Sequence, residues 1–182
     1  MFGAFDMDSL MIGIVSGIVS SIIIYILVFQ VKPKIKISKK IAHHIGEDDI
    51  YRIKILNNTH FAVFNLYYSL HYCYTQPDGI ISIMEIEPSK NPLHYISPKS
   101  FFDKSNNHAI RLSYKIDKNK YILDENSYLQ FTIIATHSLT NTTSCTQEKF
   151  FKKDIVDGVF ETGNSLNIVS ISTERSSQFI KK

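Results

Sequence analysis

The chain contains no tryptophan, and only two cysteines and five prolines among its 182 residues. Cys73 and Cys145 form neither a paired zinc spacing nor a Cys-x-x-Cys redox motif, so a disulfide-dense scaffold and a zinc-ribbon module are excluded. They are either one bridge in an oxidising compartment or two thiols in a reducing one. No His-Glu-x-x-His occurs, and the glycines of "DGVFETGN" (Asp157–Asn164) do not open a helix at phosphate-loop spacing. The missing tryptophan is no obstacle to a core, because ten tyrosines and twelve phenylalanines supply aromatic bulk.

Charge is absent where it is most informative. Ser9 to Val31 is an uncharged run of 23 residues, about 35 Å as a helix and long enough to cross a hydrocarbon core of about 30 Å. A cleaved signal peptide fits poorly, since the positive n-region is missing, the run is too long and no small-x-small cleavage site follows. A transmembrane helix is therefore expected at 9–31, after a short extracytoplasmic N-terminus at 1–8.

Acids are absent from the next stretch. Residues 32–40 hold five lysines, Lys32, Lys34, Lys36, Lys39 and Lys40, and no carboxylate. Lysines beside a membrane span favour the cytoplasmic side, so the N-terminus is expected outside and the rest of the chain in the cytoplasm, as in a bacterial inner membrane. In that compartment the cysteines are thiols and the sequons at Asn57 and Asn141 are chance matches. The same five lysines are candidates for contact with anionic headgroups. From residue 41 onward fifteen bases balance fifteen acids. A neutral domain lacks the basic face that sequence-independent binding of a nucleic-acid polymer requires, but it leaves room for a local anion pocket.

Within the apolar run, Gly13, Gly17 and Ser21 fall on one helical stripe, with Ser16 and Ser20 beside it. Small residues at this spacing let helices approach closely in lipid, so self-association into a homo-oligomer is expected.

Beyond Lys32 the period changes from helical to two. "PKIKISKKI" (Pro33–Ile41) predicts a first strand and "DIYRIKIL" (Asp49–Leu56) a second. "VFNLYYSLHYCYT" (Val63–Thr75) predicts a strand with Phe64, Leu66, Tyr68, Leu70, Tyr72 and Tyr74 on one face. "QPDG" supplies a turn into "IISIMEIE", the return strand of a hairpin. "AIRLSYKI" and "SYLQFTIIATHS" predict two more, the latter internal, whereas "CTQEKFFKKDI" reads as either strand or short helix. "DGVFETGNSLNIVSI" predicts a last strand pair around a glycine-containing turn, and residues 171–182 a polar tail. Seven or eight short strands at this spacing predict an antiparallel β-sandwich of immunoglobulin type, or a small barrel, over residues 41–170.

Chemistry is sparse. His43 and His44 adjoin three carboxylates in "GEDD", and His43, His44 and Asp48 are the nearest candidates for a membrane-tethered hydrolase; a solvated loop explains them as well. His71 and Cys73 share a strand face without any recognisable oxyanion arrangement. The long irregular segment 88–108 carries Lys90, His94, Lys99 and Lys104, which predict contact with a small anionic ligand or a protein partner. Tyr68 and Tyr72 are candidates for the same contact, tyrosine being favoured where an apolar ring meets a wet edge. No catalytic residue, metal or cofactor is assigned. The expectation is a membrane-anchored, non-enzymatic binding and assembly module. A second reading is a membrane-disrupting effector of bacterial antiviral defence, gated by a ligand such as a nucleotide second messenger.

Overall fold

The computed structural model describes residues 7–44, 49–90, 92–99 and 107–170. Lys104, Asp48 and the terminal segments 1–6 and 171–182 lie outside these residues, so the expectations placed on them find no counterpart here. The protein is mainly β with one apolar N-terminal helix, α1 (Met7–Gln30). Within α1, Ser16 Oγ donates to Gly13 O (3.0 Å) and Ser21 Oγ to Gly17 O (2.8 Å), so neither hydroxyl needs an outside partner. None of the apolar span Met7–Val28 is buried against the rest of the chain. Its apolar side chains therefore have no cover from the β-domain.

Among the described residues twelve strands follow: β1 (Ile35–Ile37), β2 (Ile41–His44), β3 (Ile50–Asn57), β4 (Val63–Thr75), β5 (Ile81–Ile86), β6 (Tyr95–Ile96), β7 (Ala109–Lys115), β8 (Ser127–His137), β9 (Thr143–Phe150), β10 (Ile155–Asp157), β11 (Val159–Phe160) and β12 (Ile168–Val169). In the first sheet β7 fills one edge of β3 from Ile50 to Leu56, so β1 and β2 follow one another along the other edge. The second sheet runs β5–β4–β8–β9, with β6 continuing the β5 edge alongside Val63 and Phe64. β8 lies between two paired neighbours, the internal position predicted for it. β11 and β12 form a separate two-stranded hairpin.

Side chains from both sheets enter one core. Ile41, Ile53, Ile55 and Tyr114 come from the first; Val63, Leu70, Leu129, Phe131 and Phe150 come from the second; all are fully buried. The alternating pattern of β8, buried at every second residue from Ser127 to His137, is what a half-buried strand dictates.

Three expectations need correction, and one alternative left open is resolved. The single first strand is two, because at Ser38 the side chain takes over from the ladder: Ser38 N donates to Lys54 O (2.8 Å) and Ser38 Oγ accepts from Lys54 N (3.2 Å). The chain then bends through Lys39 and Lys40. The sheets are not wholly antiparallel, since β10 runs parallel to β2. Phe64 does not share the core face of β4. Asn65 adopts a left-handed φ of 49° and the pairing register slips between Phe64 and Tyr67, so Val63, not Phe64, is in the core. Finally, 145–155 resolves into the end of β9, a 3-10 turn at Lys152–Asp154 and the start of β10.

Candidate functional site

The collar is a strand edge. Pro33, Ile35 and Ile37 are buried while Lys32, Lys34 and Lys36 alternate outward, exposed. Asn58 N donates to Lys34 O (2.9 Å), tying the turn after β3 to this edge. The same turn carries Asn57, which is fully buried. Its Nδ2 donates to Phe61 O (2.8 Å) and Ser97 O (3.0 Å), and its Oδ1 accepts from Thr59 N (3.0 Å) and the Thr59 hydroxyl. Asn57 is thus a structural amide, and the folded domain has no room for a glycan on it.

Lys99 is brought to this place by the long irregular segment: its N donates to Thr59 O (2.8 Å) and its Nζ to Asn58 Oδ1 (3.2 Å). The outcome is a cleft of about 280 Å³ in which Lys36, Lys99, Asn58 and His108 converge. His108 is buried, and its Nε2 is held by Asn164 Oδ1. Two lysines line it beside asparagine side chains, and among the described residues no carboxylate does, which suits an oxyanion; lysine binds phosphate as a point charge.

The remaining sequence candidates lie elsewhere. Lys90 and His94 are exposed and do not line the cleft. Tyr68 OH accepts from Leu93 N (3.2 Å), and Tyr72 OH donates to Ile122 O (2.6 Å). Both tyrosines pin loops onto the core from beneath. Lys39 and Lys40 sit, exposed, at the break between β1 and β2. Cys73 is a buried free thiol and Cys145 an exposed one. His71 Nδ1 stands 3.5 Å from Ser69 Oγ.

Sequence reasoning missed Lys54 altogether. It points outward from β3, directly opposite Arg111 on β7, yet is only 1% exposed. Two cations face to face on a sheet repel. The hairpin β11–β12 resolves the conflict by lying over them as a strap. Lys54 Nζ donates to three carbonyls, Glu161 O (2.7 Å), Gly163 O (2.7 Å) and Ser165 O (2.6 Å). Arg111 Nη2 donates to Phe160 O (3.0 Å) and Glu161 O (3.1 Å). Burial, and secondarily Arg111, lowers the Lys54 pKa below its usual value. The strap can close because Gly158, at φ 153°, has no Cβ; one there would stand 2.3 Å from Val169 O. A second cleft, about 550 Å³ and lined by Lys54, Arg111 and Gly163, opens on the other side of the strap.

The histidine cluster is at the opposite pole. His43 Nδ1 lies 2.6 Å from Asp157 Oδ1 and Nε2 lies 3.4 Å from Asp49 Oδ1, with the ring stacked on Tyr51 at 4.7 Å. Lys118 Nζ reaches Asp49 at 2.7 Å; this hydrogen bond lowers the Asp49 pKa and raises that of Lys118. The structure joins His43 to Asp157, a partner with no local signal in the sequence. His44 does not join them, and its Nδ1 is buried without a partner among the described residues. Among the described residues no three His, Cys, Asp or Glu side chains are grouped to hold a metal ion. No family model matches the chain, and no curated protein matches it.

Proposed function

We propose that the chain is a single-pass, membrane-anchored, non-enzymatic binding and assembly protein whose β-domain stands in the cytoplasm and takes an anionic ligand between Lys36 and Lys99. The observation that carries this reading is the convergence itself. A lysine six residues beyond the helix end and a lysine from a distant loop share one cleft that, among the described residues, no carboxylate lines. The orientation rests on the five collar lysines against none before the helix.

The domain is read as an immunoglobulin-like sandwich. In support, β1/β2–β3–β7 and β5–β4–β8–β9 follow the A–B–E and C′–C–F–G pairing of that architecture, and no ladder joins the two sheets among the described residues. Assembly is assigned to Gly13, Gly17 and Ser21, where small residues leave a lane for a second helix. Replacing Gly13→Leu together with Gly17→Leu should shift the detergent-solubilised protein toward monomer in sedimentation velocity.

The anion site is tested with the full-length protein in nanodiscs of zwitterionic lipid, titrated with inorganic pyrophosphate while thermal unfolding is followed. Saturable stabilisation, lost in Lys36→Glu/Lys99→Glu, is the expected result. Repeating the melt in nanodiscs containing phosphatidylglycerol separates a headgroup from a free anion, because only the former stabilises without added pyrophosphate. A melting curve indifferent to both anions would refute the site.

A further inference from the structure

Two turns meet the chain where it leaves α1. Val31, the last residue of the uncharged run, offers its carbonyl to Thr140 Oγ1 (3.0 Å) and Thr142 Oγ1 (2.9 Å), both in the β8–β9 turn. Ser144 Oγ donates to Pro33 O (3.3 Å) just beyond. The turn is therefore fixed at the level of the helix exit.

Between these anchors the turn presents an apolar side chain to the outside. Leu139 is 61% exposed, and Phe61, from the neighbouring β3–β4 turn, is 42% exposed. Phe61 rests edge-on against His137, ring centroids 5.2 Å apart, and Ser138 N donates to Ala62 O (3.1 Å), so the two turns form one surface. The presentation is rigid. His137 is fully buried, and its Nδ1 accepts from Leu139 N (3.3 Å), holding the backbone beneath the leucine. From Ser138 to Ser144 no residue carries a formal charge. The nearest charges along the chain from Val31 are Lys32 and Lys34, of the sign that anionic headgroups attract.

We infer that the β3–β4 and β8–β9 turns form a lipid-docking surface, with Leu139 and Phe61 inserted at the boundary between headgroups and acyl chains and Lys32 and Lys34 on the phosphates around them. This rests on the reading of α1 as a membrane span. If α1 spans, Val31 lies at the interface, and the turn hydrogen-bonded to its carbonyl lies there too. A leucine held at that depth meets lipid, where an apolar side chain is favoured, with a basic rim as in interfacial helices. The surface turns a flexible tether into a fixed orientation. It sets the Lys36–Lys99 cleft beside the headgroup layer and the His43 cluster away from it.

The absence of tryptophan makes the test clean, since a single introduced indole is the only one in the protein. Leu139→Trp and Phe61→Trp are compared with Ile122→Trp, which replaces an exposed side chain (64%) beside the His43 cluster. Each full-length variant is reconstituted into scaffold-free vesicles of phosphatidylcholine and phosphatidylglycerol, so that no other protein contributes an indole. Emission from Leu139→Trp and Phe61→Trp should be blue-shifted and quenched several-fold more by brominated acyl chains than that from Ile122→Trp. Aqueous iodide should show the reverse order. Equal iodide quenching at both poles with no effect of bromolipid would overturn the docking surface. Carbonate extraction of membranes from expressing cells separates the two claims: a retained protein with a water-exposed Leu139→Trp refutes docking alone, whereas release refutes the span and docking together.

Discussion

The two poles of the β-domain handle polar groups in opposite ways. At the helix-proximal pole the turns at 58–62 and 138–143 satisfy themselves with hydroxyls and amides, as Asn57, Thr59, Thr140 and Thr142 do, and among the described residues the lysines nearby have no acid in their cleft. At the distal pole Asp49, Asp157, His43 and Lys118 set opposite charges against one another at short range. Residues 41–182 sum to zero, but the poles differ in detail: opposite charges are paired at the distal pole, while the collar lysines stand beside the helix. Exposed ion pairs in water contribute little to stability, whereas cations facing a lipid surface retain their use as contacts.

The largest effect on this contrast should come from Lys54→Met. It strips three strap carbonyls of their donor while leaving Arg111 in place, at a cost of roughly 2–3 kcal/mol. Hydrogen exchange of residues 159–169 should accelerate well beyond that of the distal turns. If exchange in the strap is unchanged, Lys54 is not what holds it.

The next test uses pH. Burial lowers the pKa of His137 from its ordinary 6.5, so as pH falls through that value the unfolded chain takes up a proton that the folded one refuses. Stability should be level above neutrality and decline below about pH 6.5, by at most about 1.4 kcal/mol per pH unit for one group. His137→Gln should flatten the slope. The lowered carboxylates Asp49 and Asp124 act in the opposite sense to a raised base, their stabilisation being present above 3.8 and lost only in stronger acid. They leave the window between pH 5 and 7 to the histidine, and an unaltered slope in His137→Gln would assign it elsewhere.

The smallest effect belongs to the distal pole. His43→Asn should cost no more than about 1 kcal/mol, as for exposed ion pairs, and leave pyrophosphate stabilisation at the proximal cleft intact. A loss of anion binding in that variant would move the site to the wrong pole.

Much of the β-architecture was legible in the chain. The bounds Val63–Thr75 are those of β4, although its alternation breaks at Asn65, and "QPDG" closes its hairpin as turn chemistry dictates, with Gly79 at φ 83° and Gly79 N donating to Gln76 O. What escaped depended on register and on side chains replacing backbone. No local pattern announces that Ser38 Oγ interrupts a strand, or that Asn65 will adopt a left-handed turn and exchange Val63 for Phe64 in the core. Lys54 carries no local signal because its neighbour Arg111 and its cover, residues 161–165, are distant in sequence. The candidate site was half visible. Lys36 and Lys99 were named for separate roles, and only the path of the 88–108 segment past Thr59 brings them together.

The central claim is that one pole faces the bilayer and the other faces water. Hydrogen exchange of the full-length protein, compared between nanodiscs of phosphatidylcholine alone and with phosphatidylglycerol added, tests it most directly. The account predicts slower exchange at 58–62 and 138–143 when the anionic lipid is present, with no change at 117–121. Equal behaviour of the two poles, or protection confined to 117–121, would contradict it.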